Sequence, residues 1–133
     1  MSIKDFAEKF IKAEDEAFLT GNFDTLEKLE DPKLIFHMFS VNQELSGFEA
    51  HKQYIIGMKQ AAPGIRPDWH YLAGEGNLFA LLLKISGVKF TGQVPGWPPP
   101  TGKEIIVSSL WIFRINKGKI VEAWSNGTVS GLT

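Results

Sequence analysis

Three histidines, His37, His51 and His70, are the side chains of this chain best suited to move protons near neutral pH. There is no cysteine, which excludes thiolate catalysis, disulfides and iron–sulfur ligation. The histidines are scattered, without the paired spacing from which zinc sites are built, so no metal site is expected. Ser108 and Ser109 lack the strained strand-to-helix elbow of a hydrolase nucleophile. The stretch from Gly92 to Gly102 has the glycines of a phosphate cradle, but its four prolines remove backbone donors and the following lysine is off Walker spacing. It reads instead as a rigid lip over a pocket, with Trp97 as a lid or dimer contact. His37 stands near the end of Leu34-Ile-Phe-His-Met-Phe39, where it is either an acid–base group or a strand-end histidine held by a backbone carbonyl. His51 falls on the apolar face of a helix and reads as packing. His70 alternates with Trp69 and Tyr71, which leaves its face open.

The elements that must position these groups are written in the hydrophobic periods. Ile3, Phe6, Ala7, Phe10, Ala13, Ala17 and Phe18 recur at helical spacing, with Ser2 and Asp5 as a capping box and Gly21 as the stop. Asp24 and Glu27 start a short second helix, which Pro32 is expected to end. Lys33 to Phe39 reads as a strand. After a turn through Ser46-Gly47, Phe48, His51, Tyr54, Ile55, Met58 and Ala62 line one face of a third helix, closed by Pro63-Gly64. The period then changes to two, giving strands over Asp68 to Ala73, Leu78 to Ser86, Ile105 to Ile115 and Lys119 to Asn126, with turns at Gly74-Glu-Gly76, Gly87 and Asn116-Lys-Gly118. Helices first and strands later predict an α+β domain. In the last strand, strict alternation puts Ile120, Glu122, Trp124, Asn126 and then Thr128 on one side, against Val121, Ala123 and Ser125.

The 133 residues suit one domain, residues 1–133, with a single core. Ten Phe and four Trp against two Tyr leave enough flat apolar surface for an aromatic-lined cavity as well as a core. A net charge of −1 without a basic block argues against nucleic acid as a partner. No apolar run is long enough to span a bilayer, and the N-terminus lacks a secretory apolar segment, so a cytoplasmic protein is expected.

Gly96-Trp-Pro-Pro-Pro-Thr-Gly-Lys103, Ile112-Phe-Arg-Ile115 and Gly118-Lys-Ile-Val-Glu-Ala-Trp124 together resemble the C-terminal hairpin of SnoaL-like polyketide cyclases, within the nuclear transport factor 2-like superfamily. The resemblance implies a cone-like fold, three N-terminal helices against a curved, mainly antiparallel sheet. It implies a pocket on the Trp124 side of the last strand, and a cofactor-independent intramolecular aldol reaction with a carboxylate as acid–base. Three positions depart from that pattern: Thr128 replaces an aspartate, Phe90 replaces a histidine in Val88-Lys-Phe-Thr-Gly92, and Trp111 replaces another aspartate. Neither Thr128 nor Asn126 takes up a proton usefully. His37 is then the expected catalytic group, with Trp124, Asn126, Thr128, Phe90, Trp111 and Trp97 around a small apolar, polycyclic or ester-bearing ligand. Glu122 reads as structural. The competing expectation is a non-catalytic binding or dimerisation module that kept the cone and lost its carboxylate. Ile105-Ile-Val-Ser-Ser-Leu-Trp-Ile-Phe113 is apolar on both faces, which with the resemblance implies a homodimer through the outer face of the sheet.

Overall fold

The computed structural model describes residues 1–133. Helix α1 (Ile3–Thr20) begins with the expected capping box: the Asp5 amide donates to the Ser2 hydroxyl at 3.0 Å, and the Ser2 amide to the Asp5 carboxylate at 3.4 Å. It stops where Gly21, at φ +75°, turns its N–H back to the Ala17 carbonyl. There follow α2 (Asp24–Leu29), strand β1 (Glu30–Met38), a 3₁₀ turn (Phe39–Val41), β2 (Gln43–Ser46) and α3 (Phe48–Ala61). Strands β3 (Asp68–Glu75), β4 (Leu78–Lys89), β5 (Glu104–Asn116) and β6 (Lys119–Ser130) complete the chain as a meander. The six strands lie in the order β2-β1-β6-β5-β4-β3, antiparallel throughout except for the parallel pair β1–β6. This is an α+β architecture: three helices against a curved, unclosed, mainly antiparallel sheet.

Two local expectations are corrected. Pro32 does not end α2, which stops at Leu29, but lies inside β1. The β1–β6 ladder is irregular between Glu30 and Ile35, and β2 pairs with β1 only from Ile35 onward. A residue without an N–H therefore forfeits no ladder bond there. Gly87 is not a turn: at φ +72° it sits within β4, where the register to β5 shifts between Ile85 and Val88.

The concave face of the sheet and the inner faces of the helices share one core. Phe10, Phe36, Phe79 and Phe113 are essentially inaccessible, and Phe79 stacks on Phe113 with ring centroids 4.7 Å apart. Each such ring contributes on the order of 1.5–3 kcal/mol by leaving water. No helix is long and apolar enough to cross a membrane.

Candidate functional site

Between the helices and the concave sheet lies a cavity of about 90 Å³. Its wall is mainly aromatic and aliphatic, with large rings that include Phe36 from β1, Tyr54 from α3, Trp69 from β3, Trp97 from the proline-rich loop, and Trp111 and Phe113 from β5. Strand alternation explains the selection. Val107, Ser109, Trp111 and Phe113 occupy every second position of β5 and all face inward. Trp111 meets Trp69 edge-on at 5.7 Å and Phe36 edge-on at 5.8 Å.

Besides three serines, Ser40, Ser109 and Ser125, two charged side chains interrupt this wall from opposite helices. Glu14 stands in the buried stripe of α1, one turn from both Phe10 and Phe18, and His51 in the buried stripe of α3 between Phe48 and Ile55. They meet each other: His51 Nε2 is 3.2 Å from Glu14 Oε1. On the other side of the ring, His51 Nδ1 is 2.8 Å from Oε1 of Glu30, the first residue of β1. Side-chain exposure is 7% for His51, 4% for Glu14 and 0% for Glu30, so three ionisable groups are withdrawn from water together. Phe36 packs its ring against the imidazole at 4.6 Å.

Burial alone pushes the His51 pKa down, but the Glu30 and Glu14 carboxylates act more strongly and raise it to about 10. The ring is therefore an imidazolium that donates through Nδ1 to Glu30 and is ion-paired through Nε2 with Glu14. Glu30 is pushed up by burial, an effect that His51 partly offsets and Glu14 adds to. Its second oxygen, Oε2, has no partner. Glu14, Glu30 and His51 each offer an atom within 4.8 Å of the others, a spacing that also suits metal ligation. Here, however, both ring nitrogens already face a carboxylate, and the ring itself supplies the positive charge. The arrangement can hold a proton, pass it between His51 and Glu14, and present Glu14 and His51 to whatever enters the cavity.

The residues singled out from sequence are divided between two faces. Trp111 and Trp97 line the cavity. Phe90 is buried behind Trp97, edge-on at 5.2 Å, and does not reach the cavity wall. The face assigned to Trp124, Asn126 and Thr128 is corrected: on β6 it is Ser125 and Val129 that reach the cavity. That side was implied by the resemblance, and a bulge separates Ile120 from it. Ile115 pairs with Ile120 but Arg114 pairs with Glu122, so Val121 is an extra residue that breaks the period of two. Ile120 and Ala123 both point inward, and Trp124 points out.

His37 shares the outer face, which corrects its expected position at the pocket. It pairs in register with Trp124, stacks on that indole at 5.9 Å, and contacts Glu122 through Nε2 and Glu44 through Nδ1, both at 2.8 Å. Glu122 also accepts from Arg114 at 3.0 Å. The Glu122 hydrogen bond is the main reason the His37 pKa is raised, and the same bond holds Glu122 below its ordinary value. His70 is also exposed, 2.8 Å from Asp68, while its neighbour Trp69 faces in.

Sequence reasoning passed over Glu14 and Glu30 and took His51 for packing. The available signal was polar residues at core positions: Glu14 keeps helical register with Phe10 and Phe18, and His51 with Phe48 and Ile55.

Comparison with known proteins agrees with this architecture. A family model described as SnoaL-like polyketide cyclase matches residues 8–132. No curated protein matches the sequence. Among solved structures, a SnoaL-like protein from Jannaschia sp. CCS1 is 18% identical with a TM-score of 0.75, covering 98% of this chain and 90% of that one. IdmH from Streptomyces antibioticus is 20% identical with a TM-score of 0.69, covering 98% of this chain and 93% of its own. A protein of ketosteroid isomerase-like fold from Catenulispora acidiphila, solved with trimethylamine, is 10% identical with a TM-score of 0.71, covering 93% and 88% respectively. At these identities the structures speak for the fold, and the family match spans nearly the whole sequence; the chain belongs to the SnoaL-like polyketide cyclase family.

Proposed function

We propose that this protein binds a small, mainly apolar carbonyl compound in the aromatic cavity and catalyses a cofactor-independent proton transfer on it, of the ring-closing aldol type. The observation that carries the reading is the Glu14–His51 pair set into a mainly apolar wall and braced from behind by Glu30. The Glu14 carboxylate takes a proton from the carbon beside a ligand carbonyl. That carbon then bonds to a second carbonyl carbon, and the new alkoxide recovers a proton from the Glu14–His51 pair. The product is an isomer of the substrate, and nothing is consumed. Glu30 is a positioning residue that fixes the ring through Nδ1. Trp111 and Trp97 provide walls for the ligand. Glu14→Gln and His51→Gln should each lower kcat/KM by about 100-fold or more, with apolar probe binding retained. Full activity in either variant would sink the assignment.

A second reading rests on the same triad. A histidine raised to about 10 between two carboxylates gives up its proton reluctantly at neutral pH. In a binding module the triad would then be a structural ion pair. Ligand retained by wild type and both variants, with turnover by none, selects that reading.

We also propose that the protein is a homodimer through the outer face of the sheet. Leu78, Ile106, Leu110 and Ile112 stand there 39% to 49% exposed on adjacent strands β4 and β5, next to Trp124. A twofold contact covering them would bury more than about 1,000 Å². Sedimentation at micromolar concentration should give a dimer, and Leu110→Glu with Ile112→Glu a monomer. A monomeric wild type would refute the proposal.

A further inference from the structure

When a carbon gives up its proton to Glu14, the electron pair moves to the neighbouring carbonyl oxygen. In a mainly apolar wall that oxygen needs a hydrogen-bond donor. The indoles around the cavity do not supply one. Trp97 Nε1 donates to the Tyr54 hydroxyl at 2.9 Å, and Trp111 Nε1 to the Ser109 hydroxyl at 3.2 Å. Trp69 Nε1, like Ser40 Oγ, has neither a partner nor accessible surface, so no ligand reaches it. Ser125 is in a different state. Its hydroxyl makes no hydrogen bond within the protein, yet it is not among the polar atoms shut away from both partner and solvent. Ser125 is only 5% exposed and lines the cavity, so the surface its hydroxyl keeps is cavity surface. Register gives its position. Ser125 lies between Met38 of β1 and Trp111 of β5, one inward step along β6 from Ala123. Ala123 pairs with Phe36, whose ring packs on the His51 imidazole at 4.6 Å. One inward step is about 6–7 Å. Glu14 and His51 belong to the helices and Ser125 to the sheet, so they address one small space from different sides.

We propose that the Ser125 hydroxyl donates to the ligand's carbonyl oxygen, holding it on the sheet while Glu14 and His51 handle the proton from the helix side. The inference rests on the proton-transfer reading above and adds the group that meets the developing charge. That hydrogen bond is stronger to the enolate than to the ketone, so it lowers the barrier more than it tightens binding.

The test follows the exchange of acetone hydrogens in D₂O by ¹H NMR, using the whole protein. One C–H bond breaks as the proton passes to Glu14, and one C–D bond forms as a deuteron returns from the Glu14–His51 pair. Wild type should exchange acetone faster than Glu14→Gln. Ser125→Ala should lower kcat by about 100-fold and change KM by less than about threefold. Ser125→Thr and Ser125→Val have nearly the same shape and differ in the hydroxyl, so the first should exchange at least about ten times faster than the second. Equal rates in wild type and Ser125→Ala, or in the Thr and Val variants, would overturn the inference. So would a loss in Ser125→Ala that falls on KM alone, as for a residue that only shapes the wall. Should Ser125→Ala fail to fold, the Thr and Val pair decides. If wild type exchanges acetone and the Ser125 variants match it, only this inference fails; if wild type is no faster than Glu14→Gln, the proton-transfer reading fails with it.

Discussion

The molecule builds the same trio twice, a histidine between two glutamates, once on each side of its sheet. Inside, His51 lies between Glu14 and Glu30 with side-chain exposures of 7%, 4% and 0%. Outside, His37 lies between Glu44 and Glu122 with exposures of 22%, 57% and 25%. The outer set also includes Arg114, which with a protonated His37 balances the two carboxylates. The inner set has no second cation. Residue types and ring-nitrogen contacts are almost the same, so the difference in chemistry comes from solvent. Water and salt weaken the outer interactions, whereas burial preserves the inner ones. His37 was expected at the pocket from the resemblance and as the ionisable group left there, and neither ground fixes the side of the sheet that it faces.

The largest contrast is expected in stability. Glu30→Gln leaves a buried charged pair without its brace and should cost about 3–5 kcal/mol, whereas Glu44→Gln should cost about 0–1 kcal/mol. Urea unfolding of the two variants side by side measures this, and equal losses would break the comparison. Turnover should separate the trios next. His37→Gln should stay within about threefold of wild type, while His51→Gln loses about 100-fold or more. The pH profile reads the contrast in the smallest increments. The His51 pKa is raised from 6.5 to about 10 on folding. Above pH 6.5 the unfolded chain releases this proton and the native state keeps it. Its contribution is thus complete below pH 6.5 and is lost as pH rises through about 10, with a slope of at most about 1.4 kcal/mol per pH unit. His37 is raised in the same direction, so its contribution also fades with rising pH. About 1 M salt should abolish the His37 part and leave the His51 part. A profile of wild type that is unchanged in His51→Gln would remove the inner trio from the account.

Much of the scaffold was legible because it follows local rules. The capping box at Ser2, the stop at Gly21 and the Asn116-Lys-Gly118 turn, where Lys117 and Gly118 both take positive φ, each depend on a few neighbouring residues. Strand β2 was missed because four residues carry too little pattern to separate them from a loop. The inward face of β6 was misassigned because it was taken from the resemblance, and the bulge at Val121 puts Ile120 on the side opposite Trp124. The inner trio was hidden for a different reason. Glu14, Glu30 and His51 come from three elements, and only the packing of α1 and α3 over β1 brings them together. Each polar residue could be seen as out of place at a core position, but that two carboxylates and one imidazole answer each other is a tertiary fact.

The lone parallel pair in the sheet has a consequence for the order in which the protein assembles. Strands β3 to β6 follow one another as hairpins and find their partners nearby, while β1 must wait for β6, with 85 residues between His37 and Glu122. Such distant closure is slow compared with hairpin formation. During synthesis, β1 has no permanent neighbour on that side until the C-terminal strand has emerged. Glu30 and Phe36 ride on β1, so the brace behind His51 and one wall of the cavity are completed late in folding. Pulse-labelled hydrogen exchange should show the β4–β5 amides protected first and those bonded between β1 and β6 last, so that the folding chain acquires its core before it acquires its site.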